Sequence, residues 1–160
     1  VAATAGLQLT DARIAELTEA KRQRANRYMR EMPILIDGVS EALDVLGRRY
    51  RLALASSASR RNVDVFLERS GSASCFAFTL SGEDVVASKP SPEIYRDSVI
   101  RLGLLPRQCV VIEDAPAGIE AARSAGVRVV AVASTVSRET LEAMDVIGVI
   151  DHVSQLTVAP

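Results

Sequence analysis

Histidine and cysteine are the scarcest chemistry-bearing residues of this 160-residue chain, with one of the first and two of the second. His152, alone and near the C-terminus, rules out most histidine-dependent catalysis and leaves carboxylate, hydroxyl and lysine chemistry. Cys75 and Cys109 stand far apart, in no metal-ligand spacing, and read as buried free thiols of a protein in a reducing cytoplasm. Excess charge is also missing. Lys and Arg number 19 against 20 Asp and Glu, for a net charge of −1, and no basic patch interleaved with aromatics points to nucleic acid. No apolar run approaches the ~20 residues of a membrane span, and residues 1–31 read as polar and helical rather than as a secretion signal. No Gly-x-Gly-x-x-Gly follows an apolar run, which excludes a dinucleotide fingerprint. Internal repeats and low-complexity segments are lacking too. What is left is a soluble globular chain, 48% hydrophobic and long enough for one substantial core.

The hydrophobic pattern organises that core. Thr10-Asp11 can cap a helix over about 11–31, with Ile14, Leu17, Ala20/Lys21, Arg24 and Tyr28 along one face. Its cations Lys21, Arg22, Arg24, Arg27 and Arg30 mostly read as a solvated face. Pro33 stops it, and a second helix follows over 38–49 with Val39, Leu43 and Leu46 as its apolar stripe. From there strands and helices alternate: strands at 51–55, 76–80, 109–113, 127–133 and 147–150, helices at 60–70, 91–103, 117–125 and 138–145. Such alternation predicts an α/β fold, a doubly wound, Rossmann-like parallel sheet with right-handed crossovers and helices on both faces.

Three segments of this frame carry complementary chemistry. Strand 51–55 runs into Ser56-Ser57-Ala58-Ser59, hydroxyls and amides at a helix start that suit an anion or simply cap the helix. Ala87-Ser88-Lys89-Pro90-Ser91-Pro92 puts one lysine in a proline-stiffened turn, although a lone lysine is commonly a surface charge. Val110-Val111-Ile112 reads as a buried strand ending on Glu113-Asp114, a carboxylate pair that suits Mg²⁺ at a strand's carboxyl end or else caps the helix after Pro116. Hydroxyl, lysine and acidic pair together are what a phosphoryl group on Mg²⁺ requires.

With Leu-Ala-Leu-Ala-Ser-Ser (52–57), Ser-Lys-Pro-Ser-Pro-Glu-Ile-Tyr (88–95) and Val-Ile-Glu-Asp-Ala-Pro-Ala-Gly-Ile-Glu-Ala-Ala (111–122) in this order, the chain resembles the haloacid dehalogenase-like hydrolases. The match runs from about residue 10 to 150 and is closest to the branch of sugar phosphatases and β-phosphoglucomutases. The resemblance implies that Ser56 binds the transferring phosphoryl group, with the Ser57 amide beside it, and that Lys89 bridges that group and the nucleophile. It implies that Asp114 ligates Mg²⁺ with help from Glu113, and that Arg24 contacts substrate. Residues 1–33 would be the C-terminal part of a helical cap and 34–160 the core. The expected substrate is a small phosphorylated metabolite, a sugar phosphate, either hydrolysed or isomerised by a mutase.

One part of the family pattern is missing. Its nucleophile is the first aspartate of Asp-x-Asp-Gly at the end of a first strand, and the second aspartate is the general acid and base. Asp37-Gly38 follows Ile34-Leu35-Ile36, but Leu35 stands where the first carboxylate belongs, and a structural turn is the reading here. By resemblance the missing strand lies between strands 51–55 and 109–113. The expectation is an N-terminally truncated hydrolase, inactive alone, whose two strand edges are left open to association or pair with each other. A catalytically dead module that binds phosphate or a partner is the alternative. A receiver-type signalling domain is disfavoured, because there the acidic pair comes first and the lysine last, the reverse of the order here.

Overall fold

A computed structural model describes residues 10–31 and 38–157. The chain divides into two compact units, Val1–Ile34 and Leu35–Pro160. In the first, α1 (Asp11–Glu31) begins where Thr10 Oγ1 accepts the amide of Arg13 at 3.3 Å, and ion pairs Arg13–Glu16 and Arg27–Glu31 run along its surface. Asp37 and the apolar run before it lie outside the described residues.

The second unit contains α2 (Val39–Gly47), β1 (Leu52–Ala55), α3 (Arg60–Ser70), β2 (Phe76–Leu80), α4 (Glu93–Leu102), β3 (Val110–Glu113), α5 (Pro116–Ser124), β4 (Arg128–Val132), α6 (Arg138–Glu142) and β5 (Gly148–Ile150). Each helix starts and stops where local chemistry says it should. Ser59 caps α3 by accepting the Asn62 amide, Pro116 occupies the first position of α5, and Gly103 closes α4 at φ 67°, a conformation that glycine adopts without strain. No helix among the described residues is long and apolar enough to cross a membrane.

All strand pairs are parallel, as alternation with helices requires, but the strands form two sheets rather than one. β1 pairs with β2, and β3 pairs with β4, which pairs with β5. β1 and β3 each keep one edge unpaired among the described residues and do not pair with each other. One core nevertheless spans both sheets: Leu80, Ile94, Tyr95, Ile119, Val129 and Leu141 are buried together, with Ala55 and Phe78 of the first sheet and Val111 of the second packed against them. This arrangement corrects the expectation of a buried third strand. Val110 is 44% and Ile112 38% exposed, because a parallel strand is covered only where neighbours flank both its edges and both its faces. The two thiols are free and half-buried rather than buried, and partial desolvation raises the Cys109 thiol above its ordinary pKa.

Candidate active site

The carboxyl ends of β1 and β3 meet through one side chain. Lys89 Nζ donates to the carbonyl of Ala55, the last residue of β1, at 3.3 Å, and lies 3.0 Å from Glu113 Oε2, the last residue of β3. The lysine is delivered there by a braced loop. Glu93, the first residue of α4, accepts the amides of Val86 at 2.8 Å and Ala87 at 2.9 Å, and these two bonds hold its carboxyl below the usual carboxylate range. Ser91 N donates to Ser88 O across Lys89 itself. The proline-rich turn is therefore tied at both ends before its lysine turns inward.

Lys89 and Glu113 are a buried pair, their side chains 10% and 12% exposed. Taking two charges out of water is tolerable only if the remaining donors and acceptors are met. Tyr95 meets them. Its hydroxyl accepts from Lys89 Nζ at 2.8 Å and donates to Glu113 Oε2 at 2.7 Å, and its ring lies 4.7 Å beneath the ammonium. Burial first, then the adjacent Glu113 charge, raises the phenol well above its ordinary pKa, so the proton stays on Tyr95 and is donated. The other Glu113 oxygen accepts the Ala115 amide at 3.4 Å. Gly118 makes room for this carboxylate: a β-carbon there would fall inside contact distance of Glu113 Cγ, Cδ and Oε1.

Asp114 points elsewhere. It begins the loop after β3, half-buried, and its Oδ2 accepts from Ser134 Oγ, just past the end of β4, at 2.8 Å. Ser56 is half-buried and Ser57 exposed. The Ser56 hydroxyl accepts the Ala58 amide at 3.1 Å, which curls the loop after β1. Ser56, Ser57, Lys89, Glu113 and Asp114 thus converge on the carboxyl ends of β1 and β3, where open α/β sheets bind ligands. Arg24 stands in the other unit, and its described contacts are within α1, with its guanidinium 5.6 Å from the centre of the Tyr28 ring. No cluster of three metal-ligating residues occurs among the described residues.

Three site residues escaped the sequence reading. Tyr95 belongs to the quoted lysine motif and Gly118 to the quoted acidic motif, but neither is given a role there. Ser134 stands in an ordinary Ser-Thr turn. The lysine motif with its tyrosine six residues on was the one available hint.

The matches to known proteins bear on this geometry. A family model for haloacid dehalogenase-like hydrolases matches residues 4–132, and the chain belongs to that family. Protein CbbY of Rhodobacter capsulatus is 36% identical over 134 residues, and a phosphorylated carbohydrates phosphatase of Thermotoga maritima is 38% identical over 110. These matches take in 81% and 68% of this chain but 59% and 49% of the relatives, so the chain spans about half the length of the curated relatives it matches. The crystal structure of CbbY from Rhodobacter sphaeroides in complex with phosphate superimposes with a TM-score of 0.78 at 28% identity, over 93% of this chain and 68% of that one. The branch of the family that holds sugar phosphatases is the one this chain resembles.

Proposed function

We propose that this chain carries the phosphoryl-binding, cationic and metal-holding parts of a Mg²⁺-dependent hydrolase of small phosphomonoesters. A sugar phosphate is the substrate that the similarity to a carbohydrate phosphatase favours. The observation that carries the reading is Lys89, one ammonium bonded to the Ala55 carbonyl at the end of β1 and paired with Glu113 at the end of β3. In this reading the Ser56 hydroxyl and the Ser57 amide donate to phosphoryl oxygens. Lys89 neutralises the phosphoryl oxygens and relieves their repulsion of the attacking carboxylate, so that the two anions can approach in the transition state.

Glu113 and Tyr95 hold that ammonium in place. The Asp114 carboxylate, with one oxygen fixed by Ser134, is the hard donor that suits Mg²⁺, which binds through one or two carboxylates and keeps waters and substrate oxygens. When bound, Mg²⁺ withdraws charge from the phosphoryl oxygens. The attacking carboxylate is not among the residues gathered here. We assign it to a strand that is not among the described residues, enters between the open edges of β1 and β3 and brings an aspartate to Lys89. The Asp114 and Glu113 roles, the Arg24 substrate contact and a cytoplasmic setting belong to the same reading.

The open edges also favour a second reading, in which the chain binds phosphate without turnover. Phosphate release from a panel of sugar phosphates, with and without chelator, separates the two. The chain supplied with such a strand should release phosphate only with Mg²⁺. Asp114→Asn should abolish that release, and Lys89→Ala should lower kcat ~10²-fold or more, as the loss of one charge-stabilising donor does. Metal-independent release, or full activity in either variant, overturns the assignment. Binding with no release from any form leaves the second reading in its place.

A further inference from the structure

The Ser56–Ser59 segment is a loop, and a loop can present a hydroxyl and an amide to an anion only if its backbone is held. β2 and the turn after it hold this one. Ser56 N donates to Leu80 O at 2.9 Å, and Gly82 N donates to Ala58 O at 2.8 Å, so Ser57 is pinned on both sides. Between these bonds Gly82 lies against the Ser57 carbonyl, where a β-carbon would stand 2.6 Å from the oxygen and 3.1 Å from the carbon. The obstacle is backbone and cannot swing away. Space, not a left-handed φ, is what requires glycine at this position.

The turn that carries Gly82 is itself locked. Asp84 Oδ2 accepts from the amide of Ser81 at 2.7 Å and from its hydroxyl at 2.6 Å, and pairs with Arg60 Nη2. Ser81 is fully buried. Arg60, the first residue of α3, also donates to Thr79 Oγ1 at 3.0 Å and to Thr79 O at 3.2 Å at the end of β2. The bonds from Ser81 and Arg60 hold the Asp84 carboxyl at about 2, so it stays ionised. The chain leaves β1, passes through Ser56–Ser59 and enters α3 at Arg60. Arg60 and Gly82 therefore tie the loop's exit and its middle to the same turn.

We infer that Gly82 and Asp84 are positioning residues, a latch that fixes the Ser56 hydroxyl and Ser57 amide in the geometry that receives a phosphoryl oxygen while touching no substrate themselves. The inference rests on the phosphoryl reading of Ser56 and Ser57 and adds what shapes them. It explains why a carboxylate on an exposed turn collects three donors, although no charge of the site lies against it.

Hydrogen exchange read by mass spectrometry on the 160-residue chain, with and without inorganic phosphate, tests it. In the wild type, phosphate should slow exchange across Ser57–Ser59. In Asp84→Asn and in Gly82→Ala the segment Ser56–Ser59, where the Ser56 amide is bonded to Leu80 and the Ala58 amide to the Ser56 hydroxyl, should exchange about tenfold faster without phosphate, the worth of one lost hydrogen bond. It should also lose its protection by phosphate, while α5 and β4 exchange as before and Glu83→Gln behaves as wild type. Exchange unchanged in both variants overturns the latch, and so does a uniform acceleration over the whole chain, which marks mere destabilisation. If Gly82→Ala does not fold, Asp84→Asn alone decides. A wild type that phosphate leaves unprotected overturns the phosphoryl reading instead, with the latch still judged on the exchange measured without phosphate.

Discussion

Gly118 is the third residue of α5, in its first turn, where alanine is ordinarily at least as good a residue. Here the sign should reverse. A β-carbon at 118 meets the side chain of Glu113, and Glu113 has no retreat: moving it strips the partner from a lysine that is 10% exposed. Overfilling a packed site costs ~1–3 kcal/mol, so Gly118→Ala should lower the denaturant midpoint by that order. In a Glu113→Ala background the obstacle is gone, and the same change should be neutral or stabilising. The measurement is a double-mutant cycle, in which contacting residues show coupling and distant ones do not. Additive effects would mean that Gly118 does not shape the carboxylate's position. The prediction links a residue with no side chain to the orientation of the cation 29 positions before it, through one glutamate.

At the level of elements, every strand and α-helix among the described residues was legible in the sequence to within a few residues, because period-2 and period-3.6 patterns are local and Ser59, Gly103 and Pro116 punctuate them. Ser56-Ser57, Lys89 and Glu113-Asp114, the residues proposed for the site, were singled out in the sequence because they stand in motifs at or near strand ends. Their partners were not. Tyr95–Glu113, Ser134–Asp114 and Gly82–Ala58 join residues from different elements, and which side chain meets which depends on how those elements pack rather than on any pattern along the chain. The exposure of β3 was hidden for the same reason. Three apolar residues in a row suit burial, but burial is conferred by neighbours. The open edge carries its own prediction, since unpaired strand edges and exposed apolar side chains drive association. Val110→Lys puts a charge on the more exposed of the two apolar side chains and should shift the 160-residue chain toward monomer in sedimentation analysis, at little cost in stability. An unchanged distribution would mean that β3 is not the associating edge.

For the whole molecule the split sheet sets the balance. A domain of this size is stable by only ~5–15 kcal/mol. Each large apolar side chain moved from water into a core contributes roughly 1.5–3 kcal/mol. The half-exposed Val110 and Ile112 forgo part of that, and the edges of β1 and β3 that are unpaired among the described residues forgo ladder hydrogen bonds as well. A strand seated between β1 and β3 would join two sheets into one, cover the exposed side chains and place its last residue beside Lys89. Stability, monomeric state and chemistry should therefore arrive together. We predict that residues 1–160 alone associate and release no phosphate. A peptide bearing an apolar strand that ends in Asp-x-Asp should raise the melting temperature by several degrees, at about 2–4 °C per kcal/mol for a chain of this length. The same peptide should bring sedimentation back to monomer and start Mg²⁺-dependent release. A peptide with both aspartates changed to asparagine should do the first two without the third, because the edges read backbone and apolar side chains while the reaction needs the carboxylate. Turnover by the bare chain, or a stabilised complex that stays inactive with the intact aspartates, would show that the gap between the sheets is not where the nucleophile enters.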